Sequence, residues 1–295
     1  MRLHTIVALT DFSSAAEQAL ERAALLAGAH GAQLRILFAA DMPVPRFDDP
    51  QARLVQRARQ LARRHDLPVQ TVQLVSHDMV GSVQRAFAQA DLLVLAAHMG
   101  LGRRLPWRAS LAQRLLRRSP CPVLLVQEAP QSGYEHVLVD VDFSPASRAL
   151  VRYAGGLQTT ATMELFHGAD RREPTMAQAY HQEARRQVRQ RRVRLTDAFH
   201  ARRNRVAMHT GTQDGVLQLA VQQQRTGADL LALGGLSHGL LRAWWQGRRL
   251  RRLLDAVDCD VLVHSPRRSA GSPPLVARGA ALHAGDVGVA VGRPA

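Results

Sequence analysis

The residues best suited to chemistry in this sequence are glycines that follow a short apolar segment. Gly234 and Gly235 come directly after Asp229 and an apolar run, and Gly247 precedes a run rich in arginine and leucine. Glycine at the carboxyl end of a buried strand lets the backbone approach a ligand closely, and the first N–H groups of a helix bind phosphate. Residues 228–263 are therefore predicted to form a strand, a glycine loop, a helix and a strand, an arrangement suited to a phosphate-bearing ligand.

The same arrangement occurs twice in the chain. Residues 90–126 align with this stretch without a gap when Asp91 is placed on Asp229, and the alignment also places Cys121 on Cys259. Further upstream TIVALTDFS aligns with HVLVDVDFS, with Asp11 on the aspartate of the second segment, at position 142. A repeat that spans half of the chain indicates two copies of one domain.

Chain length and the order of elements define the fold class. A chain of 295 residues is long enough for two domains of ordinary size. In each copy, apolar segments alternate with segments of helical periodicity, which predicts an α/β fold with two tandem doubly wound parallel-sheet domains. We expect the first domain at residues 1–127, a linker at 128–135, the second domain at 136–265 and a disordered tail at 266–295.

Several polar residues are predicted to start these elements. Ser14 and Glu17 have the spacing of a capping box before a helix rich in alanine and leucine, and Pro145 suits the first position of the corresponding helix in the second copy. Asp91 and Asp229 stand directly before apolar strands. For these two aspartates we favour a structural role at the strand start over a chemical one.

These features together resemble the universal stress protein family. The resemblance is carried by an Asp-x-Ser after the first strand of each copy, an Ala-Asp before the fourth strand, and the run Cys-Pro-Val-Leu-Leu-Val at the end of the first copy. It extends over nearly the whole chain and matches the two-domain members of the family. It implies an adenine nucleotide alpha hydrolase-like fold in which the domains pack as a pseudo-dimer through their last strands, residues 123–126 and 261–263.

The resemblance also implies where a nucleotide would bind. In nucleotide-binding members the loop after strand four reads G-x-x-G-x9-G-[ST], which holds the phosphates and ribose of ATP, and the aspartate after strand one lies near the adenine. In the first copy the candidate contacts are Asp11 and Ser110. The glycine positions of this copy hold Ala96, Met99 and Ala109, so its loop is expected to be degenerate.

The second copy departs less from the family pattern. Ser237 replaces the middle glycine and Arg248 replaces the final hydroxyl residue, where a guanidinium at a helix start suits a phosphate. The candidate ATP contacts in this copy are Asp142, Gly234, Ser237, Gly247 and Arg248. The competing interpretation is a degenerate loop kept for packing, and this interpretation is favoured.

No catalytic residue and no metal site are predicted, because the histidines and cysteines lack the spacing of metal ligands and no nucleophile with a base and an orienting acid stands out. The formal net charge is +15, and all 39 basic residues are arginine. Six of them lie between Arg185 and Arg194 in a helix expected at residues 175–201. An arginine-rich nucleic-acid-binding protein is therefore an alternative, disfavoured because no aromatic residues are interleaved there for base stacking.

The sequence favours a cytoplasmic universal stress protein, a non-catalytic stress-response module with at most residual ATP binding in the second domain. A second alternative is a regulatory switch that binds ATP in this domain. The chain shows no apolar stretch of membrane-spanning length and no signal-peptide core, so neither membrane contact nor export is expected. The expected contacts are pairing of the two domains with each other, unidentified protein partners, and a second copy in a homodimer.

Overall fold

The structure of the chain is a computed structural model that describes parts of both domains. The described residues are 2–39, 49–72, 83, 87, 90–97, 115–116, 119, 121–141, 145–168, 206–211, 215–234 and 248–264. The helix expected at residues 175–201 and the tail expected at 266–295 lie outside these ranges and stay predictions.

The first domain contributes five strands and two described helices. The strands are β1 (Thr5–Thr10), β2 (Gln33–Phe38), β3 (Val69–Val72), β4 (Leu92–Ala96) and β5 (Val123–Val126). The helices are α1 (Ser14–His30) and α2 (Pro50–His65).

The second domain repeats this plan. Its strands are β6 (His136–Asp140), β7 (Thr162–Gly168), β8 (Val206–Gly211), β9 (Leu230–Gly234) and β10 (Asp260–His264). Its described helices are α3 (Pro145–Leu157), α4 (Gly215–Thr226) and α5 (Arg248–Leu254). In the described part of the chain no helix combines the length and apolar character needed to cross a membrane.

All ten strands belong to one sheet, in the order β3-β2-β1-β4-β5-β10-β9-β6-β7-β8. The described pairings within each domain are parallel, whereas β5 and β10 pair antiparallel. The prediction of two tandem doubly wound domains that pair through their last strands is confirmed. Strand β8, for which the sequence predicted no separate segment, forms the outer edge of the second domain.

Burial explains the continuous apolar sequences of the central strands. Every residue of β4 and of β5 is buried, as expected for strands whose two faces are both covered. Helix α1 packs on β1 and β4 with a face of small and branched side chains, namely Ala16, Ala19, Leu20, Ala23, Ala24 and Ala27. A core built from such side chains fits an aromatic content of only 4%.

The start of α1 differs from the predicted capping box. The N-cap is Ser13, whose Oγ accepts the backbone N–H of Ala16 at 3.2 Å, and Ser14 is already the first helical residue. One carboxylate oxygen of Asp11 accepts the N–H and the O–H of Ser13, at 3.0 and 2.5 Å. The Asp-x-Ser segment therefore orients the capping hydroxyl, and the carboxylate at Asp11 stabilises a serine cap one residue before the predicted one.

Asp91 and Asp229 hold the starts of neighbouring strands together. Oδ2 of Asp91 accepts the backbone N–H groups of His4 and Thr5 at 2.7 and 3.0 Å. The carboxylate of Asp229 accepts the equivalent two N–H groups at the start of β6, also at 2.7 and 3.0 Å. The structural role predicted for these aspartates is confirmed, because each carboxylate accepts hydrogen bonds from two backbone N–H groups at the start of the neighbouring strand.

Glu21 on α1 anchors helix α2. Its Oε1 accepts hydrogen bonds from Arg57 and Arg64 at 2.8 and 3.2 Å, and its Oε2 lies 2.8 Å from Nε2 of His65. Burial raises the pKa of Glu21, but the hydrogen bonds from His65 and Arg57 and the charges of the two arginines outweigh it. The pKa of Glu21 therefore lies below its ordinary value of 4.5.

Replacing Asp229 tests whether its carboxylate holds the start of β6. We expect Asp229→Ala to lower the free energy of unfolding, measured in urea, by about 2 kcal/mol, because two backbone donors lose a charged acceptor. Asp258→Ala, an exposed carboxylate near β10, is the matched control and should change this free energy by less than about 0.5 kcal/mol. Equal effects of the two substitutions on the free energy of unfolding would contradict this role of Asp229.

Glu21 should make the packing of α2 sensitive to acid. Because its pKa is lowered in the folded chain, its stabilising contribution is fully present above 4.5 and is lost as the pH falls through the lower folded value. The stability difference between the native chain and Glu21→Gln, measured by urea unfolding, should therefore shrink as the pH falls below 4.5. Glu128→Gln, at an exposed linker position, should follow the native profile, and a pH-independent difference for Glu21→Gln would show that the pKa is not lowered.

Candidate functional site

The order of strands creates one switch point in each domain. In the first domain the chain runs outward from β1 through β2 to β3 and then returns to β4, so the carboxyl ends of β1 and β4 border a crevice. In the second domain β6 and β9 occupy the equivalent places. Ligands of open α/β sheets bind at such crevices. The predicted contacts Asp11 and Gly234 both lie there, at the ends of β1 and β9.

An aromatic side chain occupies the turn at the first crevice. Phe12 has a φ of 61°, a left-handed conformation that bulky residues rarely adopt. Its ring stacks on Phe38 with 4.9 Å between ring centroids, and the guanidinium of Arg53 lies 4.8 Å above it. Packing by these side chains holds Phe12 in an unfavourable backbone conformation beside the carboxyl ends of β1 and β2.

Packing against helix α3 explains the glycine at the second crevice. A Cβ added to Gly234 would lie 3.0 Å from Cδ2 of Leu150, whose side chain is fully buried. The repeat places Ala96 on Gly234 and Ala19 on Leu150. Two alanines in the first domain thus correspond to a glycine and a leucine in the second, where the larger leucine lies against the position that lacks a side chain. Gly234 therefore has a structural reason that involves no ligand.

The other predicted ATP contacts are described only in part. Arg248 is the first described residue of α5, and its role as a phosphate contact stays a prediction. Asp11 uses one carboxylate oxygen to hold Ser13. The remaining candidates stay predictions because they lie outside the described residues, namely Ser110, Asp142, Ser237 and Gly247. The arginine cluster at 185–194 lies outside them as well.

The two domains meet at a second feature, which we call the seam. The seam consists of β5, β10 and five flanking side chains, those of Arg22, Gln127, Tyr134, Tyr153 and Asp260. Its strands pair from Val123 opposite Val263 to Leu125 opposite Val261. The apolar edges of the two domains thereby cover each other.

A buried ion pair crosses the seam. Nε of Arg22 on α1 lies 2.9 Å from Oδ2 of Asp260 on β10, and both side chains are almost fully buried. Nη1 of Arg22 donates to the carbonyl of Ser132 at 2.8 Å, and the guanidinium lies 4.3 Å from the ring centroid of Tyr134. The charge of Arg22 therefore contacts the second domain and the linker at once.

Gln127 at the end of the first domain and Tyr134 in the linker complete the set of donors around Asp260. Oδ2 accepts the hydroxyl of Tyr134 at 2.6 Å, and Oδ1 accepts the backbone N–H of Gln127 at 2.9 Å. The amide of Gln127 also donates to the carbonyls of Val257 and Cys259, at 2.9 and 2.8 Å. Both carboxylate oxygens thus have partners, which a buried charge requires.

Burial governs protonation in this cluster. It raises the pKa of Asp260 above its ordinary value of 3.8, against the opposing effects of the Arg22 charge and the Tyr134 hydrogen bond. Burial, together with the nearby Asp260 carboxylate, raises the pKa of Tyr134 well above its ordinary value of 10.0. The hydroxyl of Tyr134 therefore keeps its proton and remains a donor to Asp260.

Contacts on the other side of the seam are of a different kind. The hydroxyl of Tyr153 on α3 donates to the carbonyl of Asp91 at 2.8 Å, and its ring stacks on His264 with 5.7 Å between ring centroids. Nε2 of His30 on α1 lies 2.9 Å from the carbonyl of Leu157. An aromatic stack and contacts with backbone carbonyls thus close this side, whereas an ion pair closes the other.

Sequence reasoning missed Arg22, Tyr134 and Asp260. Arg22 is one arginine among many on a helical sequence, and Tyr134 lies in a segment interpreted as a linker. The repeat could have indicated two of these residues. Arg22 aligns with Tyr153 of the other copy and Asp260 aligns with Pro122, so each charged residue stands where the other copy is uncharged.

The fold and its crevices define a class of protein, namely a tandem pair of doubly wound α/β domains joined edge to edge. Each domain has a point where the strand order reverses, which is where ligands of this fold class bind. The model of the universal stress protein family matches residues 2–127 and 133–264. The chain belongs to this family and carries two of its domains.

Solved structures agree with this fold. A universal stress protein from Archaeoglobus fulgidus is 14% identical over 88% of this chain and 96% of its own, with a TM-score of 0.65. A putative universal stress protein from Pseudomonas aeruginosa UCBPP-PA14 is 20% identical over 90% of this chain and 94% of its own, with a TM-score of 0.63. Among curated proteins no sequence matches.

A double-mutant cycle tests whether packing explains Gly234. We expect Gly234→Ala to lower the free energy of unfolding by about 1 kcal/mol through crowding of Leu150, and Leu150→Ala to lower it by about 3 kcal/mol through a cavity. The double substitution recreates the two alanines of the first domain, so its cost should be about 1 kcal/mol less than the sum. Additive costs in urea unfolding would contradict the packing explanation.

Proposed function

We propose that this protein is a cytoplasmic, non-catalytic stress-response module that acts through protein contacts, with at most residual ATP binding in its second domain. Family membership supports the stress-response role. The restriction of any ATP binding to the second domain is supported by the loop sequences, since the first copy lacks all three loop glycines whereas the second copy keeps Gly234 and Gly247.

The observation that carries the proposal is the stack of Phe12 on Phe38 beneath Arg53. In the first domain these side chains occupy the carboxyl ends of β1 and β2, with 4.9 Å between the two rings. Phe12 is only 9% exposed, so a planar base would have to displace a packed side chain to lie there. This favours a first domain that has a structural part rather than a nucleotide site.

The second domain retains the better set of candidate contacts, yet its described glycine is no argument for a nucleotide. Crowding by Leu150 offers a packing reason for the lack of a side chain at Gly234. ATP binding in this domain would rest on the predicted contacts Asp142, Ser237, Gly247 and Arg248. Two of these depart from the family pattern, which is why we propose residual rather than tight binding.

Thermal denaturation in the presence of Mg-ATP tests the proposal. A ligand that binds only the folded chain raises the Tm by mass action, and weak binding at millimolar ATP should raise it by less than about 2 °C. Any rise should disappear in Gly247→Trp and persist in Ala109→Trp, the same change at the equivalent position of the first loop. A rise of several degrees at micromolar ATP would contradict residual binding and favour a regulatory switch, and ATP hydrolysis abolished by Asp142→Ala would contradict the non-catalytic role.

A further inference from the structure

The strands of the seam are related by an approximate twofold axis. Leu124 pairs with Leu262 at its centre, and these two leucines are equivalent in the repeat. Val123 pairs with Val263, which is the counterpart of Leu125 in the repeat. Leu125 pairs in turn with Val261, the counterpart of Val123. Such pairing is self-complementary. As far as the strands are concerned, two copies of either domain would pair as well as the first domain pairs with the second.

The flanking side chains do not obey this symmetry. The repeat places Arg22 on Tyr153 and Pro122 on Asp260. The ion pair of Arg22 with Asp260, at 2.9 Å, therefore occurs once at the seam, and the equivalent positions across the axis carry a tyrosine and a proline. Its two charges lie on different domains, with 7% of Arg22 and 2% of Asp260 exposed.

We propose that the Arg22–Asp260 pair selects the partner of each seam strand: β5 accepts β10 of this chain and rejects a second copy of its own domain. If two first domains paired, each Arg22 would face the proline at position 122 of the other copy and lie buried without a carboxylate. If two second domains paired, each Asp260 would face Tyr153 and lie buried without a cation. An unpaired buried charge is strongly destabilising, so both homotypic pairings are penalised twice.

The linker strengthens this selection. Ser132 and Tyr134 both contact Arg22, and Gln127 and Tyr134 both donate to Asp260. These donors and acceptors around the buried charges thus come from the segment between β5 and β6, which belongs to no strand. A single-domain relative that offered an apolar last strand but no carboxylate at the position of Asp260 would likewise be rejected. A homodimer of this protein must therefore use a surface other than the seam.

Cutting the folded, full-length chain in its linker tests partner choice directly. A protease site inserted between Ala129 and Pro130, between the contact residues Gln127 and Ser132, yields two pieces of different mass. After exchange in mild urea, native mass spectrometry counts pairs of unlike and of like pieces. We expect unlike pairs to exceed like pairs by about a hundredfold or more. Comparable amounts of both, or separation into unpaired pieces, would overturn the proposal.

Removing the charges without opening a cavity should abolish the choice. In R22M/D260L the seam keeps apolar bulk, and replacement of a buried ion pair by such residues is often neutral for stability. We expect like pairs to appear in the cut variant, with the excess of unlike pairs below about tenfold. R251Q/D255N, which removes an exposed ion pair of 3.9 Å on and just after α5, is the control and should keep the native preference. An unchanged excess in R22M/D260L would overturn the proposal.

Reversal of the charges gives a second and independent readout if R22M/D260L does not fold. R22D/D260R retains opposite charges across the seam, and its cut chain is mixed with the cut native chain. We expect each first domain to choose the second domain of its own origin, so that matched pairs exceed crossed pairs by about tenfold or more. Equal numbers of matched and crossed pairs would show that the charges do not select the partner.

Discussion

The pairing of β5 with β10 is the constraint on which the rest of this structure depends. Strand β5 is apolar and fully buried, and the middle of β10 is apolar as well, so either strand left unpaired would present an open sheet edge prone to join other chains. Joining the two edges makes one continuous sheet of ten strands. Strands β4 and β9, which border the two crevices, lie next to the seam strands. The pairing of β5 with β10 therefore places one crevice on each side of the interface between the domains.

At two places the two copies differ at a pair of neighbouring residues. Ala19 and Ala96 in the first domain correspond to Leu150 and Gly234 in the second, and in the second domain the leucine takes the space that the glycine leaves. At the seam the divergence concerns charge instead of volume, with one ion pair where strict symmetry would require two. A close-packed core tolerates such changes only in compensating pairs, since a change at one residue alone leaves a cavity or a clash.

Much of the fold could be predicted because its signals are local. Apolar segments such as β4 and β9 follow from residues adjacent in sequence, and the repeat shows that both copies share one plan. The helix start was wrong by one residue, since a capping hydroxyl at Ser13 depends on the carboxylate of Asp11 as well as on spacing. The candidate site was predicted less well. Gly234 was correctly placed at a strand end, but the reason for its lack of a side chain lies in a helix far away in sequence.

The sequence by itself determined the two-domain α/β architecture, the family, and the structural role of Asp91 and Asp229, because hydrophobic periodicity and internal repetition are written along the chain. Only the tertiary structure decided that Arg22 meets Asp260 beside Tyr134, that Phe12 stacks on Phe38 beside the first crevice, and that Leu150 crowds Gly234. These contacts join residues distant in sequence. Their energies come from burial and from distances of a few ångströms, which no spacing along a chain can specify.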